Sequence, residues 1–371
     1  MNIVQIVPAL PPSINGVGDY ALFVAKELRR SHDIESEFIV DCRATVPGVD
    51  VERFEIEALR ARSRRALVSA LGHSSSTVVV LHYVGYGYAS RGCPNWLVEG
   101  LREWCRANSR GRIVTIFHEI SAFGPPWRSA FWLSAPQKIL AKRLVHLSDA
   151  CITSGETYRQ ILQSMSGASG PTISTLPIFS NVGEPDNVPP LGSRSRRAVI
   201  FGGAATKRRV YGHSLKQFGE ILGSLRFEEI CDIGPPCERA FQELNGIPIV
   251  MIGARPAREV SVLLQDAVIG LFDCPGECLA KSGVFAAYCA HGLAPVGFPE
   301  RTRSRDGLAV GREYLGISRG ELFTWRQLNS AATAARGWYQ SHRLSRHAAH
   351  LAELVASDST IGRRRHGEQE Q

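Results

Sequence analysis

Residues 2–30 read NIVQIVPALPPSINGVGDYALFVAKELRR, and three patterns succeed one another within them. Asn2 to Val7 is a short apolar run of strand length that ends at Pro8. A Pro- and Gly-bearing loop follows, and ALFVAKELRR then carries helical spacing at Leu22, Val24, Ala25 and Leu28. Strand, glycine loop and helix in this order are the opening unit of a parallel α/β sheet.

The same alternation continues outward. Apolar runs at EFIVD (37–41), TVVVLHYV (77–84), RIVTIFHE (112–119) and DACITSG (149–155) are separated by helical patterns such as WLVEGLREWCRA. Strands alternating with helices imply a parallel sheet covered on both faces. The pattern breaks from Ser166 to Arg197, where Gly, Pro, Ser and Asn accumulate, and restarts at AVIFGGAATKRRVYGHSLKQFGEIL (198–222). FEEICDIG, IPIVMIG and AVIGLFDCP supply further strands, and Trp325 to Ser357 is helical. The expected organisation is an N-terminal Rossmann-like domain over 1–190 with a linker at 166–197, a second over 191–357, and a flexible tail at 358–371. At 371 residues the chain exceeds what a single core usually covers, which agrees with two domains.

Composition excludes several classes. A hydrophobic fraction of 44% with 21% charged residues is that of a globular protein, and no run reaches the roughly 18 apolar residues of a spanning helix. The start lacks a basic leader and a cleavage site, so a soluble, cytoplasmic protein is expected. Nine cysteines without paired CxxC spacing predict reduced thiols and no metal site. A net charge of +8 favours polyanionic partners. The basic clusters at Arg60–Arg65, Arg194–Arg197, Lys207–Arg209 and Arg363–Arg365 carry no interleaved aromatic residues, so nucleic acid is not expected as a partner. ALRARSRRALVSAL (58–71) has the makings of a basic amphipathic helix, which would offer a peripheral contact at the inner face of a membrane.

Parallel sheets place ligands beyond the carboxyl ends of their strands, so the candidate residues sit in four loops. Gly16 and Gly18 would let backbone N–H groups approach a phosphate or sugar before a helix N-terminus, with Asp19 as cap or acceptor ligand. Their spacing is not the dinucleotide GxGxxG. HYVGYGYASRGCP (82–94) is too polar and glycine-rich to continue a strand, and its Tyr86, Tyr88 and Arg91 suit an acceptor. His118 and Glu119 in FHEISAFGPPW (117–127) close a strand at the crevice, where catalytic roles are expected. In the second half, Lys207 and Arg208 after GGAAT, and Glu277, Lys281, Ser282 and Gly283 in PGECLAKSG, would face a donor diphosphate.

Taken together, PALPPSINGVGDYALFVAKEL, FHE, TSGETYR and AYCAHGLAPVG resemble the blocks of retaining GT-B glycosyltransferases, family 4 or group 1 like, over nearly the whole chain. The resemblance implies two Rossmann-like domains whose parallel sheets face across a cleft. It also implies transfer of a sugar from a nucleotide-diphosphate donor to a glycan, lipid-linked or small-molecule acceptor, with retention and without a metal or other cofactor. It places Gly16 and Gly18 against the donor phosphate and acceptor, His118 near the transferred sugar, and Lys207 or Arg208 at the diphosphate. The chain departs from that superfamily in one respect. The usual pair of glutamates with seven residues between them would fall on Leu279 and Ala287, and Glu277 lies out of register. LAKSGVFAAYCAHG instead resembles a divergent bacterial branch in which Lys281 and Ser282 take over donor contacts. A degenerate, glycan-binding partner protein and a nucleotide-sugar epimerase are the alternatives; the first follows from the missing glutamates, the second from sharing the donor pocket.

Overall fold

A computed structural model of the chain describes residues 1–11, 13, 16–43, 53–122, 127, 129–168, 170–213, 215–298, 304–318 and 320–357. The tail expected over 358–371, with Arg363–Arg365, lies outside them.

The elements run β1 (Asn2–Val7), α1 (Gly16–His32), β2 (Glu35–Val40), β3 (Glu55–Ala58), α2 (Arg64–His73), β4 (Val78–Tyr83), α3 (Gly85–Tyr88) and α4 (Asn95–Ala107). They continue with β5 (Arg112–Phe117), α5 (Ser129–Leu147), β6 (Ala150–Thr153), α6 (Glu156–Ser166) and β7 (Thr172–Thr175). After an extended stretch come β8 (Arg197–Phe201), α7 (Ala204–Val210), α8 (Lys216–Ser224), β9 (Glu229–Ile233), β10 (Glu243–Leu244) and β11 (Ile247–Gly253). The chain ends through α9 (Ala257–Asp266), β12 (Ile269–Phe272), α10 (Gly283–Ala290), β13 (Ala294–Gly297), β14 (Leu315–Gly316), α11 (Trp325–Gln340) and α12 (Leu344–Ala356).

Among the described residues the strands form two sheets of seven, ordered β3-β2-β1-β4-β5-β6-β7 and β10-β11-β9-β8-β12-β13-β14. Pairing is parallel from β3 through β6 in the first and from β11 through β14 in the second, where the short β10 runs antiparallel to β11. Each sheet is therefore doubly wound in the Rossmann-like manner expected. Strand order reverses between β1 and β4 in one and between β8 and β12 in the other, and ligands of such sheets bind where the order reverses.

The strands form where they do because both faces are covered. Val78–Tyr83 is buried at every position, and Leu22, Ala25 and Leu28 turn one side of α1 onto the sheet. Leu10, Ala21, Leu22, Phe38 and Phe54 close one core cluster in the first sheet's unit. In the other, Ile200, Phe218, Leu222, Ile230, Leu271 and Leu328 pack together, each large side chain contributing about 1.5–3 kcal/mol on burial.

The chain divides into two compact units, one of Met1–Thr153, Gln160–Ser174 and the chain from His347, the other of Ser154–Arg159 and Thr175–Arg346. The second unit thus takes up the chain at Thr175, ahead of the boundary expected near 190. The Gly- and Pro-rich segment belongs to it because Ser180 N donates to the Tyr339 hydroxyl at 2.7 Å and Arg194 Nη1 to the Ala267 carbonyl at 2.8 Å. The helical C-terminal stretch is two helices, and the second returns to the first unit, where Arg112 donates to the Leu354 and Val355 carbonyls at 2.7 and 3.1 Å.

The amphipathic segment at 58–71 also differs from expectation. It is the end of β3, a turn and α2, and Leu67 and Leu71 are buried. Gly100 on α4 sits so close to Leu67 that a side chain there would overlap it. The apolar side of α2 is thereby used inside the protein, and it offers no face to a membrane. Arg62 and Arg64 are paired with Asp41 and Glu103 at 2.8 and 3.0 Å. Among the described residues no helix is long and apolar enough to cross a membrane.

Candidate functional site

In the first unit the loops after β1, β4 and β5 carry the expected residues. Gly18 is required by packing: a Cβ there would overlap the Ala9 carbonyl oxygen, so the first turn of α1 rests directly on the backbone leaving β1. Gly16 is different. It is exposed, and a Cβ would meet no described atom within 4 Å, so no described neighbour demands glycine there. Asp19 is partly buried, and burial raises its carboxyl above the usual range.

The aromatic loop splits by role. Tyr88 is 1% exposed, and its hydroxyl donates to the Ile6 and His82 carbonyls at 3.1 and 3.0 Å. It ties β1 to β4 and cannot contact an acceptor, contrary to expectation. The turn Gly85–Tyr88 is helical, and Gly85 approaches the Gly92 carbonyl too closely for any side chain. Tyr86 and Arg91 are exposed and remain available.

His118 follows the last residue of β5, where its backbone N–H donates to the Tyr83 carbonyl at 3.0 Å. Its Nε2 lies 3.2 Å from His82 Nδ1, the two rings stack at 5.5 Å, and Tyr20 of α1 meets His118 edge-on at 5.0 Å. Burial, with the nearby His347, pushes the His118 imidazole down to about 3, so it is neutral in physiological solution. His82 is wholly buried, and burial together with His118 lowers it well below its ordinary value. Glu119 beside it is exposed. His82, Tyr20, Gln5 and His347 were not singled out from the sequence. His82 stood within the aromatic loop, but nothing in the spacing linked it to His118.

In the second unit the site is built around α10. Tyr288 on that helix accepts from Phe201 N at 3.0 Å and donates to the Leu271 carbonyl at 3.1 Å, pinning α10 to the ends of β8 and β12. Gly270 makes room for its ring. Gly202, at φ +133, and Gly234, at φ +120, bring the loops after β8 and β9 together; a side chain on Gly234 would overlap the Gly202 carbonyl.

Lys207 is not a free cation. Its Nζ is paired with Asp232, both side chains are fully buried, and the Tyr211 hydroxyl donates to the second carboxylate oxygen at 2.6 Å. Helical rotation sends Lys207 inward and leaves Arg208 and Arg209 exposed, so the cations open to a diphosphate on α7 are the two arginines. The sequence could not separate three adjacent basic residues.

Ser282 caps α10, its hydroxyl accepting from Phe285 N at 3.3 Å. Lys281 Nζ donates to the Tyr158 hydroxyl at 2.8 Å and lies 4.4 Å over that ring. Gly283 has open space where a side chain would stand, the nearest described atom being Asn181 Oδ1 at 4.0 Å. Glu277 is exposed and faces Arg305 at 3.8 Å. The backbone N–H groups at the start of α10, with Arg208 and Arg209, make the second unit's strand ends suited to an anion. Among the described residues no group of three His, Cys, Asp or Glu is arranged to hold a metal ion.

No known sequence family matches the chain, and no curated protein resembles it in sequence. Solved structures do resemble it in three dimensions. A chain of the GtfA/B complex superimposes with TM-score 0.64 at 12% identity, over 96% of this chain and 99% of its own. An E. coli structure described as trehalose-6-phosphate bound with UDP-2-fluoro glucose gives 0.61 at 10% identity, over 96% and 100%. This chain has the GT-B fold. The lipopolysaccharide outer core galactosyltransferase WaaB gives 0.54 at 13% identity, over 96% of this chain and 100% of its own. An α-glucosyltransferase solved with UDP-glucose and DNA containing an abasic site gives 0.54 at 11% identity, over 97% of each chain. The GT-B fold therefore does not exclude nucleic acid, and the expectation that ruled it out rests on composition alone.

Proposed function

We propose that the chain is a glycosyltransferase, moving a sugar from a nucleotide-diphosphate donor to a hydroxyl of a glycan, lipid-linked or small-molecule acceptor. What carries the proposal is the division of chemistry between the two reversal points of strand order. The second unit presents exposed cations and a helix N-terminus suited to a diphosphate. The first presents a neutral imidazole, Tyr86 and Arg91, which suit hydroxyl-rich groups. GT-B proteins of similar structure have been solved with UDP-glucose and with UDP-2-fluoro glucose, which makes a UDP sugar the first donor to test.

In the reaction proposed, the acceptor hydroxyl oxygen forms a bond to the anomeric carbon, the bond from that carbon to the diphosphate oxygen breaks, and the nucleoside diphosphate leaves with the hydroxyl proton passed to its departing oxygen. Arg208, Arg209 and the first N–H groups of α10 stabilise the charge that develops on it. Retention of configuration, and charge stabilisation by protein groups in place of a metal ion, follow from the resemblance stated above. Gly16 lies where no described neighbour imposes glycine, which suits a close backbone approach to the ligand.

Thermal unfolding against UDP, GDP, ADP and TDP sugars tests the donor, since a ligand at 100 times its Kd stabilises by about 2.7 kcal/mol. A selective shift lost in Arg208→Ala and followed by release of the diphosphate with an acceptor supports transfer. A folded protein that binds none of them returns the chain to the partner-protein reading. The epimerase alternative has one observation in its favour, the likeness to a UDP-N-acetylglucosamine 2-epimerase structure at TM-score 0.58 and 12% identity, over 96% of each chain. An altered nucleotide sugar released without any acceptor would establish it.

A further inference from the structure

The first unit holds a chain of polar groups running inward from His118. His118 Nε2 faces His82 Nδ1 at 3.2 Å, His82 Nε2 faces Gln5 Oε1 at 2.8 Å, and Gln5 Nε2 donates to Ser36 Oγ at 2.8 Å. Gln5 and His82 are wholly buried and Ser36 nearly so, so each bond is made in a dry, low-dielectric place where a mismatch of donor with donor is costly.

The order of donors and acceptors follows from the amide. With its nitrogen committed to Ser36, Gln5 offers only its carbonyl oxygen to His82. His82 must then carry its proton on Nε2 and leave Nδ1 as a lone pair. His118 must in turn carry its proton on Nε2, and its own Nδ1 is a lone pair that makes no hydrogen bond among the described residues. Burial and the nearby His347 keep the ring uncharged. His82 of β4 and Tyr20 of α1 pack against it, His347 of α12 meets the Tyr20 hydroxyl at 2.7 Å, and Glu119 is its neighbour in sequence.

We propose that Gln5 and His82 are positioning residues that hold His118 in a single neutral tautomer, proton on Nε2 and lone pair on Nδ1, so that this site accepts a hydrogen bond from a substrate hydroxyl and does not take an anion. The role for the hydroxyl rests on the transferase reading above; the tautomer does not, because it is a property of the protein without substrate.

The test is nitrogen NMR of the full chain labelled with [15N]histidine at neutral pH, with the His118 signals identified by their loss in His118→Gln. The expected spectrum shows His118 Nε2 protonated and Nδ1 unprotonated, without averaging between them. Gln5→Leu should mix the tautomers, and Gln5→Glu, which in its ionised form can only accept, should keep the one form. A wild-type spectrum with Nδ1 protonated, as the opposite orientation of the Gln5 amide would give, or with averaged tautomers, overturns the proposal. Inorganic phosphate should leave Nδ1 unprotonated; protonation on its addition overturns the neutral, anion-refusing site. UDP-glucose should shift the Nδ1 signal, and His118→Phe should weaken UDP-glucose about tenfold while leaving UDP unchanged. Equal loss of both ligands overturns the hydroxyl contact. Absence of any UDP-glucose binding beside the expected resting spectrum counts against the donor reading, and the tautomer lock stands.

Discussion

Lys207 Nζ and Asp232 Oδ1 form an ion pair with neither side chain exposed, and Tyr211 completes it from the same helical turn. The pair fastens α7 to β9 beneath the loops that face the candidate donor site. Removing one partner leaves a buried charge without compensation, which typically costs about 3–5 kcal/mol. Lys207→Met should therefore lower the urea midpoint sharply. The double variant Lys207→Met with Asp232→Leu should lose less than Lys207→Met alone. An unchanged midpoint in the single variant would contradict the pairing.

Arg208 lies one residue further along and is exposed, so the opposite behaviour is expected there. Arg208→Ala should alter stability by no more than about 0.5 kcal/mol. Its effect should fall on nucleotide affinity, with a weaker salt dependence of binding, both measurable by calorimetry.

The two glycines of the first loop make a matched pair. Gly18→Ala forces a methyl group onto the Ala9 carbonyl and should cost about 1–3 kcal/mol, read as a fall in Tm. Gly16→Ala meets no described atom and should keep the wild-type Tm. Weakened ligand binding in Gly16→Ala would then report contact with the ligand itself.

Acid should expose the buried imidazoles. His118 is held at about 3 and His291 at about 4 by burial, and His82 is lowered by the same cause, while an unfolded histidine titrates near 6.5. Below about pH 6.5 the unfolded chain binds protons that the folded chain refuses, so stability is whole above that value and falls as pH drops toward 4. Each imidazole contributes a slope of up to about 1.4 kcal/mol per pH unit. Urea unfolding between pH 7 and pH 4, at about half-unit steps, should show a slope reduced by about one proton in His118→Gln.

Cys278 sits in the loop between β12 and α10. A hydrogen bond from the Cys274 thiol, with Lys281 and Arg209 nearby, brings it down to about 6, whereas burial holds Cys289 well above the ordinary thiol range. Iodoacetamide at neutral pH should label Cys278 first, as mass spectrometry of peptides would show. Protection by UDP-glucose would place the donor beside this loop; equal labelling of Cys278 and Cys289 would contradict the lowered thiol.

The order of strands and helices was legible because it depends on local periodicity. The apolar run NIVQIV, the glycine loop and the helix after it specify their own conformations, and the same holds for AVIFGGAATKRR and IPIVMIG. The candidate loops were legible as well, since a parallel sheet always delivers its carboxyl ends to the ligand side. Tertiary structure decided which residues within those loops are free. Successive helical residues point about 100° apart, so Lys207 turns into the core toward Asp232, 25 positions away, while Arg208 turns out. Tyr86 and Tyr88 separate for a like reason, one exposed and one bonded to two strand carbonyls. The link from His118 through His82 to Gln5 joins residues 36 and 77 positions apart, on strands made neighbours by the sheet order, and that order is fixed by long-range pairing.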